Sequence, residues 1–383
     1  MELKRLTKHI RTLASLPVEE AEVISCYLGL DGNGLKDKAA FSAQLGGLQQ
    51  GMSETVRQDA ESALQRIDEY LATELSPQAR GVALFSRAGK TPFFLPLQFL
   101  VPLPTWVAVD TTPNLYHLVE LKDNYHRYVV MISTEESVRI LEVNLGAVTE
   151  ELWRDRPELR KRVGREWTKD HYQSHRRDRT QKFVKEQIQF LSHRMQAGGY
   201  THLILAGNPK ITAQVQEVLP RHLADKLVDI VPASGRTPIS DVLRASIASF
   251  IRIEENESRA VADTVVRMAR SGGLAVVGTL PTFQALELGC VDTLVLAQSY
   301  QPNMGWHCTA CGTMQVEPER LQECPHCEAG ELREFDVKEE MVRLAEQDKC
   351  GVEVVERSDP LSLHGGAGCL LRYRTPASYG NAI

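Results

Sequence analysis

Two spacings of hydrophobic residues alternate along this chain, one of period two or continuous, the other helical. Val23-Ile24-Ser25-Cys26-Tyr27-Leu28 is a short apolar run closed by Asp31-Gly32-Asn33-Gly34, which predicts a strand and a turn. Val56, Ala60, Ala63, Leu64, Ile67 and Leu71 fall on one side of a helix, with Pro77 beyond its end. Gly81-Val82-Ala83-Leu84-Phe85 predicts another strand. The proline-rich stretch from Pro92 to Pro113 reads as extended and irregular, because proline fixes φ and removes an N–H donor.

Further along, Tyr128 to Ile132 and Val138 to Val143 predict two strands joined by a short polar link. Val184, Ile188, Leu191 and Met195 form an apolar stripe at helical spacing that Gly198-Gly199 ends. His202-Leu203-Ile204-Leu205-Ala206 is a buried-type strand, and Gly207-Asn208-Pro209 leads into another helix before the strand at Val228 to Val231. Past about Ala260 come strands at Leu274 to Val277 and Thr293 to Leu296, with a helix at Thr282 to Leu288 between them. A helix at Lys338 to Gln347 follows, then strands at Val352 to Val355 and Cys369 to Tyr373. The alternation predicts an α/β fold in three domains. These are residues 1–125, an N-terminal α/β domain; residues 126–256, a middle α/β domain; and residues 257–383, a C-terminal α/β/α sandwich with an insertion at 305–333.

Length and composition fit that organisation: 383 residues, 43% hydrophobic and 25% charged, suit a multi-domain globular protein. No apolar run approaches the roughly 18 residues of a membrane span. Nor does a long apolar stretch follow the charged start Met1-Glu2-Leu3-Lys4-Arg5-Leu6. Cys26, Cys290, Cys350 and Cys369 stand scattered in apolar contexts, as thiols of a reducing compartment do, so the expected location is the cytoplasm, without membrane contact.

Net charge is −6, which argues against general affinity for nucleic acid, but the charge is unevenly placed. From Arg154 to Arg194 there are 13 Lys/Arg against 6 Asp/Glu, a local +7 that leaves −13 on the remainder. Within this arm, Arg160, Lys161, Arg162, Arg165, Lys169, Arg176, Arg177 and Arg179 can meet RNA phosphates. Trp167, His171, Tyr172 and His175 are interleaved with them and can stack on unpaired bases. The competing reading is a solvated, ion-paired helix face.

Four other cysteines carry the sharpest chemical signal. Cys308 and Cys311 form one C-x2-C pair, Cys324 and Cys327 a second, twelve residues apart. Two such turns aim four sulfurs at one point, the ligand set of a closed structural zinc site. Four protein ligands leave no open position, so such an ion holds a small insertion together and does no chemistry. His307 and His326 flank the cysteines and read as neighbours of the site, not ligands. His171 and His175 lack a third ligand nearby. Gly365-Gly366-Ala367-Gly368 reads as a turn before the last strand, and no nucleotide fingerprint or nucleophilic triad stands out, so no residue is assigned a catalytic role.

The order of parts resembles the archaeal and eukaryotic class-1 peptide release factors and Pelota, in particular their bacterial relatives. The likeness is clearest in Leu274-Ala275-Val276-Val277-Gly278, in Ala285-Leu286-Glu287-Leu288-Gly289-Cys290-Val291-Asp292-Thr293-Leu294, in the cysteine insertion, and in the ending His364-Gly365-Gly366-Ala367-Gly368-Cys369-Leu370-Leu371-Arg372-Tyr373. It implies the three-domain architecture of that family, with a zinc knuckle in the C-terminal domain. The family's catalytic Gly-Gly-Gln loop corresponds to His171-Tyr172-Gln173, where Gln173, Ser174, Arg176 and Arg177 fit the pattern and the two glycines are replaced. The codon-reading Asn-Ile-Lys-Ser loop corresponds to Gln49-Gln50-Gly51-Met52-Ser53, which has no lysine. The resemblance therefore implies a factor like Pelota-type rescue factors or Balon-type hibernation factors, which occupies the ribosomal A site against ribosomal RNA without ending translation. Gln173 joins the arm as a contact residue on that reading, and a translational GTPase such as elongation factor Tu is an implied partner. Two alternatives stay open: a residual peptidyl-tRNA hydrolase using Gln173, and a protein-interaction module with no ribosomal role.

Overall fold

The computed structural model describes residues 2–18, 21–31, 34–50, 54–125, 127–134, 137–155, 169–234, 236–316 and 322–374. By contacts the chain forms two compact units, Met1–Asn124 together with Glu255–Ile383, and Tyr125–Glu254. The first and third sequence segments thus share one body.

The first segment runs α1 (Leu3–Ala14), β1 (Val23–Gly29), α2 (Lys38–Gln50), α3 (Glu54–Thr73), β2 (Gly81–Arg87), β3 (Phe93–Phe99), β4 (Trp106–Asp110) and α4 (Tyr116–Asn124). Its sheet has the order β3-β2-β1-β4 and is antiparallel throughout. Ala60, Ala63, Leu64 and Ile67, the predicted helix stripe, bury against Ile24, Cys26, Leu28, Val82 and Leu84 of the central strands. The proline-rich stretch is not irregular: it supplies two strands. Pro96 sits within β3 opposite Leu84, and β3 is an edge strand. A missing N–H there leaves the neighbour's ladder intact on its inner side, which is where sheets accept proline.

The second unit contains β5 (Tyr128–Ser133), β6 (Ser137–Asn144), β7 (Ala147–Asp155), α5 (Lys169–Gly198), β8 (His202–Gly207), α6 (Pro209–Val218), α7 (Arg221–Ala224), β9 (Leu227–Pro232) and the first part of α8 (Ile239–Arg270). The sheet order is β7-β6-β5-β8-β9, antiparallel among its first three strands and parallel among β5, β8 and β9. Val184, Ile188, Leu191 and Met195 of α5 bury on one face against Val129, Met131, Leu203 and Leu205. Val242 and Phe250 of α8 cover the other face, with Phe250 stacked on Tyr128 at 4.5 Å between ring centroids. Each β-strand face thus meets one helical stripe, and that burial fixes the strand register.

The third segment continues with β10 (Ala275–Val277), α9 (Thr279–Glu287), β11 (Val291–Ala297), β12 (Gly305–Cys308), β13 (Met314–Gln315), β14 (Leu332–Phe335), α10 (Val337–Gln347), β15 (Gly351–Val355), α11 (Asp359–Ser362) and β16 (Ala367–Leu371). The main sheet is β10-β16-β11-β15, with β11 and β15 parallel. A separate antiparallel sheet, β13-β12-β14, stands between β11 and α10 in the chain and carries the cysteines. The glycines before the last strand make the expected turn, Gly365 at φ +87° and Gly366 at φ +80°. Among the described residues, no helix is long and apolar enough to cross a membrane.

Candidate metal centre and the basic arm

Cys308 ends β12, and its N–H donates to the Thr313 carbonyl at 2.9 Å while its own carbonyl accepts from the Gly312 N–H at 2.9 Å. That turn returns the chain so that Cys311 faces the same point as Cys308; Gly312 closes it at φ +78°, a conformation suited to glycine. The second pair repeats the arrangement: Cys324 N–H donates to the Ala329 carbonyl at 2.9 Å, and the Cys324 carbonyl accepts from the Glu328 N–H at 2.8 Å. Here Glu328 takes the positive φ, at 58°.

The four sulfurs lie within 4.8 Å of one another. Cys308 Sγ and Cys327 Sγ are 3.5 Å apart, and Cys311 Sγ and Cys324 Sγ 3.6 Å. A tetrahedron with Zn–S bonds of about 2.3 Å has edges of about 3.8 Å, so the cluster has the size that four thiolates need around one ion. Cys308 and Cys324 are buried, and Cys311 and Cys327 stand at the surface. The Thr313 hydroxyl and amide draw the Cys311 thiol down to about 6. Cys327 feels the Ala329 N–H pulling it down, but its sulfur neighbours, Cys311 first, push it up to about 12. The sulfur contacts themselves act in opposite directions on Cys311 and Cys327, because adjacent thiols cannot all ionise without a cation among them. The residues present therefore fit a metal ion, and the four cysteines could hold one.

The flanking histidines behave differently from the cysteines. His326 contributes its backbone, whose N–H points to Cys324 Sγ at 3.4 Å. His307 is half-buried on β12, opposite Met314 and Arg333. The small sheet is fastened to its domain by aromatic packing: Phe335 lies 5.9 Å from Phe283 of α9. A Cβ on Gly305 would sit 2.5 Å from the Phe335 ring, so that glycine permits the close approach.

A cleft of about 880 Å³ within the first unit was not legible from sequence; Lys90, Asp110, His307, Arg333, Asp336 and Glu339 are among its lining residues. These residues come from both the first and third segments. Burial raises Asp110 to about 6, against the opposing hydrogen bonds of Thr111.

Arg160, Lys161, Arg162, Arg165 and Trp167 fall outside the described residues. Lys169, His171, Tyr172, Gln173, His175, Arg176, Arg177 and Arg179 stand on the first turns of α5; their side chains fall outside the described set.

A family model described as "Bacterial archaeo-eukaryotic release factor family 10" matches residues 113–250. Curated relatives match across the whole length. A peptide chain release factor subunit 1 of Pyrococcus abyssi is 24% identical over 97% of this chain and 98% of its own. Its counterpart in Thermococcus onnurineus is 25% identical over the same shares. Residues 113–250 thus match a release-factor family model, and the whole chain is similar to archaeal release factors. Among solved structures, an archaeal translation termination factor is 18% identical, with 97% of this chain and 99% of the other covered and a TM-score of 0.27. Archaeoglobus fulgidus Pelota is 12% identical, with 98% and 93% covered and a TM-score of 0.37. The family match spans α4 through β9, with all of α5, so it includes the segment that carries Gln173.

Proposed function

We propose that the protein is a non-enzymatic translation factor that binds the ribosomal A site and acts in hibernation or rescue. The observation that carries this reading is the whole-length match to archaeal release factors combined with His171-Tyr172 where the family's two catalytic glycines belong. Glycine reaches backbone conformations closed to residues with a side chain and takes almost no space. His171 and Tyr172 remove both properties beside Gln173, so the arm reaches its site without positioning a water for hydrolysis. On this reading Arg160, Lys161, Arg162, Arg165, Lys169, Arg176, Arg177 and Arg179 meet ribosomal RNA phosphates, and Trp167, His171, Tyr172 and His175 stack on bases. A translational GTPase such as elongation factor Tu delivers the factor, and the work is cytoplasmic. The ion at Cys308, Cys311, Cys324 and Cys327 is zinc, and its part is structural.

Co-sedimentation with bacterial ribosomes, empty and stalled, tests the central claim. Binding to empty particles assigns hibernation, and binding to stalled ones assigns rescue. No binding to either at low salt, with or without the GTPase, overturns the reading. The retained Gln173 favours a second reading, a residual peptidyl-tRNA hydrolase; peptide release from stalled complexes that disappears with Gln173→Ala would establish it. Metal analysis of the purified protein should return a single zinc per chain that Cys308→Ser removes. A metal-free wild type with the same stability would remove zinc from the account.

A further inference from the structure

Helix α4 closes the first segment; residues of the third meet the free N–H groups at its start and a side chain at its end. The N–H groups of Leu115 and Tyr116, at the helix start, both donate to Glu339 Oε2 of α10, at 2.6 and 3.0 Å. At the other end, Asp123 Oδ2 accepts the Val354 N–H at 2.7 Å, on β15 at the edge of the C-terminal sheet. Between them Lys122 pairs with the buried Glu346, Gln298 donates to Glu120 at 2.9 Å, and the Lys338 ammonium lies 3.3 Å over the Tyr116 ring. One short helix and the residue before it thus make five hydrogen bonds and ion pairs to the third segment among the described residues.

Asn114 stands two residues before this helix start, with Leu115 between, and is a type that often folds its side chain back onto the following backbone. An asparagine side-chain oxygen commonly accepts the N–H two residues on, in an Asx turn. For Asn114 that donor is Tyr116, which Glu339 already holds. Asn114 is 3% exposed, and its amide oxygen has no hydrogen-bond partner. Its backbone is fixed from the other side: the Asn114 N–H donates to Ser25 Oγ at 3.1 Å, and Tyr27 Oη donates to the Asn114 carbonyl at 2.6 Å. A buried amide oxygen without a partner is costly. An Asx turn at this position would bring it to the Tyr116 N–H if that donor became free.

We propose that α4 is a releasable clasp with two interchangeable caps: Glu339 when the first and third domains are docked, and Asn114 when they part. Undocking then leaves no orphan N–H at Tyr116, because the idle Asn114 oxygen takes it. The exchange lowers the cost of opening the seam while keeping α4 helical.

Hydrogen exchange on the full chain tests this through the Tyr116 and Val354 amides. Glu339→Ala should raise exchange at Val354 about tenfold while Tyr116 stays protected, because Asn114 has taken it over. Asn114→Ala alone should leave Tyr116 unchanged. The double variant should expose Tyr116 about tenfold beyond Glu339→Ala, the effect of losing a helix cap. Equal Tyr116 exchange in the single Glu339 variant and the double variant overturns the proposal, as does unchanged Val354 exchange in Glu339→Ala. Should alanine prevent folding, Glu339→Asp withdraws the carboxylate by one methylene and makes the same comparison with the same two outcomes.

Discussion

Glu339 has exchanged water for two backbone donors, and its protonation records the cost. Burial pushes its carboxyl up to about 8, against the pull of the Tyr116 and Leu115 N–H groups. Asp336 on its own helix adds to the rise and Lys338 opposes it, while Tyr27 and Tyr116 face it from the first segment. The folded chain therefore keeps a proton at Glu339 that the unfolded chain has released above about 4.5. Stability falls wherever the unfolded state binds fewer protons. The contribution from Glu339 is fully present at acid pH and is lost as pH rises from about 4.5 through about 8. Denaturation midpoints should decline across that window in the wild type, and Glu339→Gln should flatten the decline. Asp110, also raised, leaves a smaller slope of the same sign below about 6. An unaltered slope in Glu339→Gln would show that the carboxyl titrates alike in both states.

At the scale of the element, α5 shows what one stripe of side chains does. Leu191 is fully buried between Val184, Ile188 and the β5–β8 face, so Leu191→Ala leaves a cavity that the sheet cannot close. Such changes cost about 2–5 kcal/mol, and urea unfolding of the isolated variant should show a loss in that range. A loss below about 0.5 kcal/mol would mean the site collapses freely, contrary to close packing. This stripe was legible in the sequence because Gly198-Gly199 ends it and its period is unbroken. Helices α1, α2 and α4 were not. Lys38–Gln50 mixes two internal glycines into a weakly patterned run, and α4 interrupts its apolar positions with Glu120, Lys122 and Asp123, which pair with the third segment. Local periodicity cannot register a residue whose partner lies some two hundred positions away. Strand β3 was hidden for a related reason: Pro96 forbids a central strand, but its edge position depends on sheet order, which no local window contains. The cysteine site was legible because its ligands come as two local turns, each complete within a few residues.

For the whole molecule, the uneven charge gives the sharpest consequence of the proposed function. An acidic body repels RNA at long range, so attachment must come from the +7 arm and should weaken steeply with salt. Each phosphate contact releases condensed counterions and adds roughly 0.7–0.9 to the slope of log affinity against log salt. Arg176 and Arg177 lie next to Gln173 on α5, in the segment that the family model covers. Replacing both with Glu should lower ribosome affinity and reduce that slope by about 1.5, two contacts' worth. The two effects separate explanations that affinity alone confuses. A variant that merely unfolds the middle domain loses its cooperative melting transition, which Arg176→Glu/Arg177→Glu should retain because Val184, Ile188, Leu191 and Met195 of the α5 core are unchanged. A variant that binds more weakly with an unchanged slope has lost shape or stacking and leaves the phosphate contacts to other residues. Only weaker binding together with a shallower slope places these two arginines on RNA, and parallel salt plots for wild type and variant would move the RNA-binding surface away from them.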